Sequence, residues 1–431
     1  MVFMELEGQI PTIQLGVSKV DITPEFPISL AGFAVRSELG AFEGVSHRLF
    51  ARIFAFVTGD RDGDKRDAVL ISADLLWWGS DRVPTLKRRI HERFGIAEDT
   101  IFLHGTHTHS GPQTSSLFTS YLGVMDEKYI VSLENLVIEG IEAALLQAEP
   151  VQIEQGTGHS PLGINRRGVV KSPPETEPVD HELRVIRFRK VDGNTKGLLV
   201  HYACHPVITR DNFVSSEYIG VAMEAVEQFI GECTVAAFLQ GTCGDINPGD
   251  GERVIRGNNE VVMQVGKDFA ACIIETLNKS MERITPCSLQ WEKSIVELPL
   301  VSLPERRQLE ITAQSSGVLG EWSNLMLARL ERLSPSILLE LSVLNLADGL
   351  TLLGMNAEVV VEYGLYIKQL SKGTVLPIGY TNGMFGYIPT AQQLVEGGYE
   401  THESTLYFAM ASCFDRTVES TVKEALLNLL S

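Results

Sequence analysis

Short runs rich in valine, isoleucine and phenylalanine alternate along the chain with longer stretches in which apolar residues recur every three or four positions. The first kind reads as buried strand and the second as amphipathic helix. Strands are expected at residues 16–22, 49–57, 68–75, 100–104, 151–156, 183–189, 197–203 and 235–239. Between residues 126 and 148, Ile130, Leu133, Val137, Ile141, Ala144 and Leu145 share one helical face, and the pattern stops before Pro150. Similar patterns predict helices at 81–94, 220–230, 262–280, 321–332, 360–370 and 418–430. The apolar runs 338–346 and 351–354 flank Ala347-Asp348-Gly349, a hairpin signal. Strands alternating with helices predict an α/β fold, with a central mixed sheet, helices on both faces and some antiparallel additions. We expect one large domain over residues 1–431. Two polar, glycine-bearing segments, 157–182 and 379–401, break the periodicity. Structureless stretches of that length inside a compact domain are usually functional, so both are expected to border a site.

Composition narrows the class of function. The formal net charge is −19, which argues against a nucleic-acid or anionic-membrane partner, since either calls for a basic face. The apolar stretch 337–346 is short and contains Glu340 and Asn345, whereas a membrane span needs about 20 apolar residues. Residues 1–11 carry Glu5 and Glu7 and lack the basic-then-apolar order of a secretory signal. The six cysteines are scattered, with no C-x-x-C pair. Reduced thiols and a cytoplasmic location are the expectation.

Four segments carry candidate chemistry. Gly105-Thr106-His107-Thr108-His109-Ser110-Gly111-Pro112 follows an expected strand. In extended backbone, residues i and i+2 face the same way, so His107 and His109 are expected to point into one site at a strand's carboxyl end. Two loop histidines satisfied by backbone groups are the plainer alternative. His205 sits where an apolar strand runs into a proline turn, while His201 lies inside the strand and reads as a buried, hydrogen-bonded residue. Cys204 alternates to the other face. In Gln240-Gly241-Thr242-Cys243-Gly244-Asp245-Ile246-Asn247-Pro248, the glycines permit close backbone approach to a ligand. There Asp245 is a candidate to orient a metal-bound histidine, or simply an Asx-type turn residue. Cys243 is a candidate nucleophile, although nothing marks its thiol as activated. Glu358 ends a strand at a helix start, where it suits the helix dipole or serves as a hard ligand beside two imidazoles.

These segments, taken in order, resemble the catalytic domain of the neutral ceramidases, the zinc-dependent neutral/alkaline non-lysosomal type. The resemblance runs through Gly16-Val17-Ser18-Lys19-Val20-Asp21-Ile22-Thr23-Pro24, Leu30-Ala31-Gly32-Phe33, Arg48-Leu49-Phe50-Ala51-Arg52 and the Gly-Thr-His-Thr-His-Ser-Gly-Pro string. It continues through Asn165-Arg166, His205-Pro206, the 240–248 loop, Gly386-Tyr387-Ile388-Pro389-Thr390 and Gly398-Tyr399-Glu400. The resemblance implies a fold akin to zinc peptidases, with zinc held by His107, His205, Glu358 and Tyr387. It implies that His109 transfers or orients a proton and that Arg166 and Tyr399 touch the substrate near the scissile carbonyl; Asn165 is expected on the substrate side with them, and Asn247 is expected to bind a polar group of the substrate.

Three positions depart from the family pattern. Asn247 stands where the family has serine, Ser216-Glu217-Tyr218 where it has Ser-Asp-Asn, and Asn356-Ala357 where Pro-Gly precedes the glutamate. The expectation is also that the family's C-terminal immunoglobulin-like domain and leader are missing. The resulting expectation is a zinc-dependent hydrolase that cleaves a linear N-acyl bond with a metal-activated water. Its partner is expected to be a small, soluble amide rather than ceramide. A true ceramidase, a zinc peptidase and a non-catalytic zinc- or ligand-binding relative are the alternatives. The oligomeric state is not legible.

Overall fold

The computed structural model describes residues 13–58, 66–171, 176–231 and 233–431. The reading of residues 1–11 as lacking a secretory signal lies outside them. Eight strands form the main path of the central sheet: β1 (Ile13–Asp21), β2 (Phe50–Thr58), β3 (Ala68–Ala73), β4 (Ile101–Gly105), β5 (Glu149–His159), β6 (Glu182–Lys190), β7 (Thr195–Tyr202) and β8 (Val235–Gln240). Their order is β8-β7-β6-β5-β1-β2-β3-β4, with Glu282–Ile284 added against β5. β3–β4 and β7–β8 are parallel, and the other neighbours on the path are antiparallel. The mixed sheet read from the sequence is therefore present.

Alternation along each strand splits the core into two sides. Ile53, Ala55, Val69 and Ile71 pack with Ile130, Leu133, Val137 and Ile141 of the helix Glu127–Leu146. Leu183, Val185, Leu198 and Val200 pack with Tyr218, Val226, Phe269 and Ile273 of the helices Glu217–Ile230 and Asn259–Asn278. The helix Glu127–Leu146 lies so close to β1 that a Cβ on Gly16 would sit 1.8 Å from the Ala144 carbonyl oxygen, so the position requires glycine.

Phe54, Phe56, Leu70, Ile186, Phe188, Leu199 and Leu239 alternate to the opposite side and meet Leu344, Leu346, Leu352, Leu376 and Ile378. Those partners belong to a second sheet of four strands, β9 (Pro286–Pro299), β10 (Ser336–Ala347), β11 (Leu350–Met355) and β12 (Val375–Ile378). Its β10–β11 hairpin is the one announced by Asp348-Gly349. β9 had no sequence signal, because it buries little beyond Leu289, Val296 and Leu298 while Gln290, Glu292, Lys293 and Glu297 face solvent. The two sheets are stitched at one end by the bridge His104↔Thr381 and by Asn382, whose N–H donates to the Leu103 carbonyl at 2.8 Å. No helix among the described residues is long and apolar enough to cross a membrane.

Candidate metal centre

The site forms where strands end. β4 runs out into His107 and His109, β7 into His205, β8 into the 241–248 loop, β11 into Glu358 and β12 into Tyr380. Carboxyl ends of strands are where α/β folds gather ligands, since loops there converge from several directions.

His107 does not sit in extended backbone, as the spacing of the two histidines had suggested. Its φ is +69°, a left-handed conformation that non-glycine residues enter at a cost. The turn holds because the His107 N–H donates to the Leu75 carbonyl at 2.9 Å and the ring stacks on Tyr380, with centroids 3.9 Å apart. Tyr380 also has positive φ, +52°, and its hydroxyl lies 3.1 Å from the Cys243 sulfur. Two strained residues thus brace each other at the centre of the site, where strain is usually functional. His109 nevertheless converges with His107, their ring centroids being 4.7 Å apart.

The hydrogen bonds assign the ring tautomers. Nδ1 of His107 faces the Leu76 carbonyl at 2.9 Å, Nδ1 of His109 the Gly32 carbonyl at 3.1 Å, and Nδ1 of His205 the Ile246 carbonyl at 3.0 Å. A carbonyl only accepts, so each Nδ1 carries the hydrogen and each Nε2 is the atom turned towards the centre of the site. The three Nε2 positions converge. His107 and His109 Nε2 are 3.2 Å apart, and the three imidazoles offer ligand atoms within 4.8 Å of one another. Glu358 Oε1 lies 2.7 Å from His205 Nε2 and 3.3 Å from His107 Nε2.

Burial pushes His205 down to about 4, and burial with the neighbouring imidazoles of His107 and His205 holds His109 well below the usual histidine range. Burial opposes the charge on Glu358, but His107 and His205 outweigh it and hold the carboxyl well below its usual range. Three ring nitrogens and a carboxylate oxygen thus crowd one buried point. A cation held by His107, His205 and Glu358 would relieve this crowding, with His109 Nε2 left beside it, and imidazole with carboxylate is a donor set that zinc accepts. Backbone carbonyls on each Nδ1–H complete the arrangement usual around metal-binding histidines.

Tyr387 stands directly opposite Glu358 in the parallel pair Glu358–Val359 with Tyr387–Ile388, so both side chains leave the same face. Its phenol is pushed well above the usual range by burial and then by the Glu358 carboxylate. Arg166 reaches the same place: Nη2 donates to the Tyr387 hydroxyl at 3.2 Å and Nη1 to Asn247 Oδ1 at 3.4 Å, and Cζ lies 5.8 Å from the Tyr399 ring. Burial opposes its charge, but the oxygens of Tyr387 and Glu400 outweigh that and raise its pKa. Asn165 caps the short helix Arg166–Val170, accepting from the Arg167 N–H at 3.0 Å, and so aims Arg166.

Several residues depart from their expected parts. Asp245 touches no histidine: it accepts from Val361 N–H at 3.0 Å, Asn165 Nδ2 at 3.1 Å and Gln393 Nε2 at 3.0 Å. The Ile246 carbonyl orients His205 in its place. Cys243 is a poor nucleophile, because burial pushes its thiol well above the usual range. Glu400 stands in the Gly398-Tyr399-Glu400 string but has no role assigned from sequence. It lies in a π-helical turn, Tyr399–Glu403, and accepts from Arg166 Nε at 2.8 Å and Arg167 Nη1 at 2.7 Å. Arg36 was also missed. Almost fully buried, it donates to the His109 carbonyl, to Ser110 Oγ at 3.0 Å and to the Asp211 carbonyl at 2.7 Å, locking the histidine turn to the 209–212 loop. Neither residue carries a local pattern; a charged residue in a polar loop reads as solvated.

A cavity of about 910 Å³ lies behind Gly163–Asn165, lined by Leu162, Ile164, Val179 and Phe269. Asn165 belongs to its wall, but none of His107, His109, His205 and Glu358 does, so donor chemistry and not cavity size locates the reactive centre.

Comparison with known proteins agrees with this architecture. The family model for neutral/alkaline non-lysosomal ceramidase, N-terminal, matches residues 13–259. The neutral ceramidase of Drosophila melanogaster is 25% identical over 265 residues, covering 55% of this chain and 36% of that protein. Neutral ceramidase B of Dictyostelium discoideum is 26% identical over 260 residues, covering 54% and 35%. The chain thus spans about a third of the length of these curated relatives. The crystal structure of neutral ceramidase from Pseudomonas aeruginosa shares the fold with a TM-score of 0.77 at 18% identity, covering 98% of this chain and 74% of that one. A ceramidase complexed with C2 gives a TM-score of 0.76 at 19% identity, covering 98% and 75%.

Proposed function

The chain belongs to the neutral/alkaline non-lysosomal ceramidase family, and on that premise we propose that it is a zinc-dependent hydrolase cleaving a linear N-acyl amide of a small, water-soluble substrate. The observation that carries the reading is the convergence of the ring nitrogens of His107, His109 and His205 with the Glu358 carboxylate in a buried cluster. In this reading His107, His205, Glu358 and Tyr387 hold the ion. Zinc supplies Lewis acidity there, towards the amide carbonyl and towards water, whose pKa it can lower to about 7.

The protein's own groups divide the remaining work. His109, neutral and fixed through Nδ1 to the Gly32 carbonyl, offers Nε2 to take the proton released by the attacking water and to return it to the leaving amine. Arg166 and Tyr399 donate hydrogen bonds to the carbonyl oxygen as charge builds there, each contributing about 3 kcal/mol. Glu400 fixes the Arg166 guanidinium so that it needs no reorganisation during the reaction. Asn247, hydrogen-bonded to Arg166, and Asn165 complete the substrate side. A serine nucleophile has no part in this scheme, which accommodates Asn247 at the family's serine position. Six unpaired cysteines fit a reducing compartment such as the cytoplasm.

The test uses His205→Ala and Glu358→Ala. Each is expected to lose both bound zinc and turnover of simple N-acyl amides. Full activity in a variant that no longer retains metal refutes the reading.

A further inference from the structure

The chain has 55 acidic residues against 36 basic ones, yet Arg210 and Arg256 lie close enough to Arg166 of this site for the three charges to act on one another. Arg210 and Arg256 are both exposed, and neither makes an ion pair or a side-chain hydrogen bond among the described residues. Their backbones are fixed. Ile255 N–H donates to the Pro248 carbonyl at 2.8 Å and Gly257 N–H to the Ile208 carbonyl at 3.0 Å. Arg256 is therefore held between the loop that carries Asn247 and the loop that follows His205. The Arg210 carbonyl accepts from buried Arg36 at 3.2 Å, and the Arg210 guanidinium lies 5.5 Å from the Phe33 ring. That ring packs on His109 with centroids 4.9 Å apart.

The charged groups that act on Arg256 are of its own sign. Burial, then Arg210 and Arg166, lowers the pKa of Arg256, and no carboxylate offsets them. Burial lowers the pKa of Arg36 to about 10, Glu217 and Asp211 oppose this, and Arg210 adds to it. Holding like charges together is unfavourable unless an anion joins them, and guanidinium groups are well matched to carboxylate and phosphate oxygens.

We propose that the substrate carries an oxyanion, a carboxylate or a phosphate, on the amine side of the scissile amide, and that Arg210 and Arg256 bind it. The inference rests on the amide-hydrolase reading above. The amine side follows because His109, which in the reading above returns the proton to the leaving amine, packs on the same Phe33 ring that Arg210 approaches. An N-acyl amino acid or an N-acyl aminoalkyl phosphate fits this description, and a neutral lipid amide does not.

The experiment measures binding of three probes by calorimetry on the full chain: N-hexanoylglycine, its neutral glycinamide counterpart and N-hexanoyl-phosphoethanolamine. Turnover is followed in parallel. At least one anionic probe is expected to bind roughly tenfold or more tightly than the neutral one. That preference should shrink with added salt and disappear in Arg210→Gln/Arg256→Gln, whose exposed positions leave the core untouched. The relative affinities of glycine and phosphoethanolamine conjugates distinguish carboxylate from phosphate. Equal binding of neutral and anionic probes overturns the proposal, as does a preference that survives in the double variant or no binding of any probe. Hydrolysis of all three without anion preference leaves the hydrolase standing and removes only the anion site. Anion-selective binding without turnover supports the site and refutes the hydrolase.

Discussion

Gly32→Ala tests how the His109 ring is held. At Gly32 φ is +98°, and a Cβ would lie 2.6 Å from His109 Nδ1, 2.8 Å from Cγ and 3.0 Å from Cβ. The ring has little room to yield. Its Nδ1 faces the Gly32 carbonyl, its Nε2 is 3.2 Å from His107 Nε2, and its face packs on Phe33. Left-handed backbone costs a non-glycine residue about 1–2 kcal/mol and overpacking about 1–3 kcal/mol more, so a loss of ~2–5 kcal/mol is expected. The ring must also shift, and a displacement of about 1 Å in a catalytic group lowers rate on the order of 100-fold. Gly40→Ala is the control: φ there is +71°, but nothing lies within 4 Å of the added methyl. Urea unfolding and N-acyl amide turnover, measured on both, separate the two effects. Gly32→Ala should lose stability and turnover, and Gly40→Ala about 1–2 kcal/mol of stability alone. Wild-type turnover in folded Gly32→Ala, or equal turnover losses in both variants, refutes the assignment of a catalytic part to His109.

Asp74, at the end of β3, is fully buried and accepts from Arg52 Nη1 at 2.9 Å, from Phe50 N–H at 3.0 Å and from Thr106 Oγ1 at 3.3 Å, next to His107. Asp74→Ala leaves the buried Arg52 charge to Glu227 alone, 3.4 Å from its Nε, and is expected to cost about 3 kcal/mol by denaturant titration; a loss below about 1 kcal/mol contradicts this. Glu217 is buried with φ +57° and has its pKa raised by burial to about 7 from 4.5. The folded state then holds a proton that the unfolded state releases, so this group lowers stability as pH rises from about 4.5 to about 7, by on the order of 3 kcal/mol, with no further change above. In Glu217→Gln the decline attributable to this group should vanish, and an unchanged stability-against-pH curve contradicts the assignment.

Local chemistry made part of the site readable. Two histidines after an apolar run, a histidine before proline and a glutamate ending a strand are patterns within ten residues, and the structure brings those groups together. The backbone reason for His107 was not readable, because a left-handed histidine depends on Tyr380 stacking from another sheet. The facing of Glu358 and Tyr387 was equally hidden, since a two-residue parallel pairing leaves no periodicity. The central sheet was legible through its fully apolar strands. β9 was not, because a strand that buries a few side chains among charges reads as loop. Asp245 looked like a histidine's partner from proximity in sequence, but its turn directs the carboxylate towards Asn165, Val361 and Gln393.

The central claim is that the imidazole and carboxylate lone pairs meet at a zinc ion. Elemental analysis of protein purified without chelator or histidine tag tests it most directly. About one zinc per chain, absent in Glu358→Ala, is the predicted result. A chain that carries no metal and takes up none when zinc is added contradicts the account.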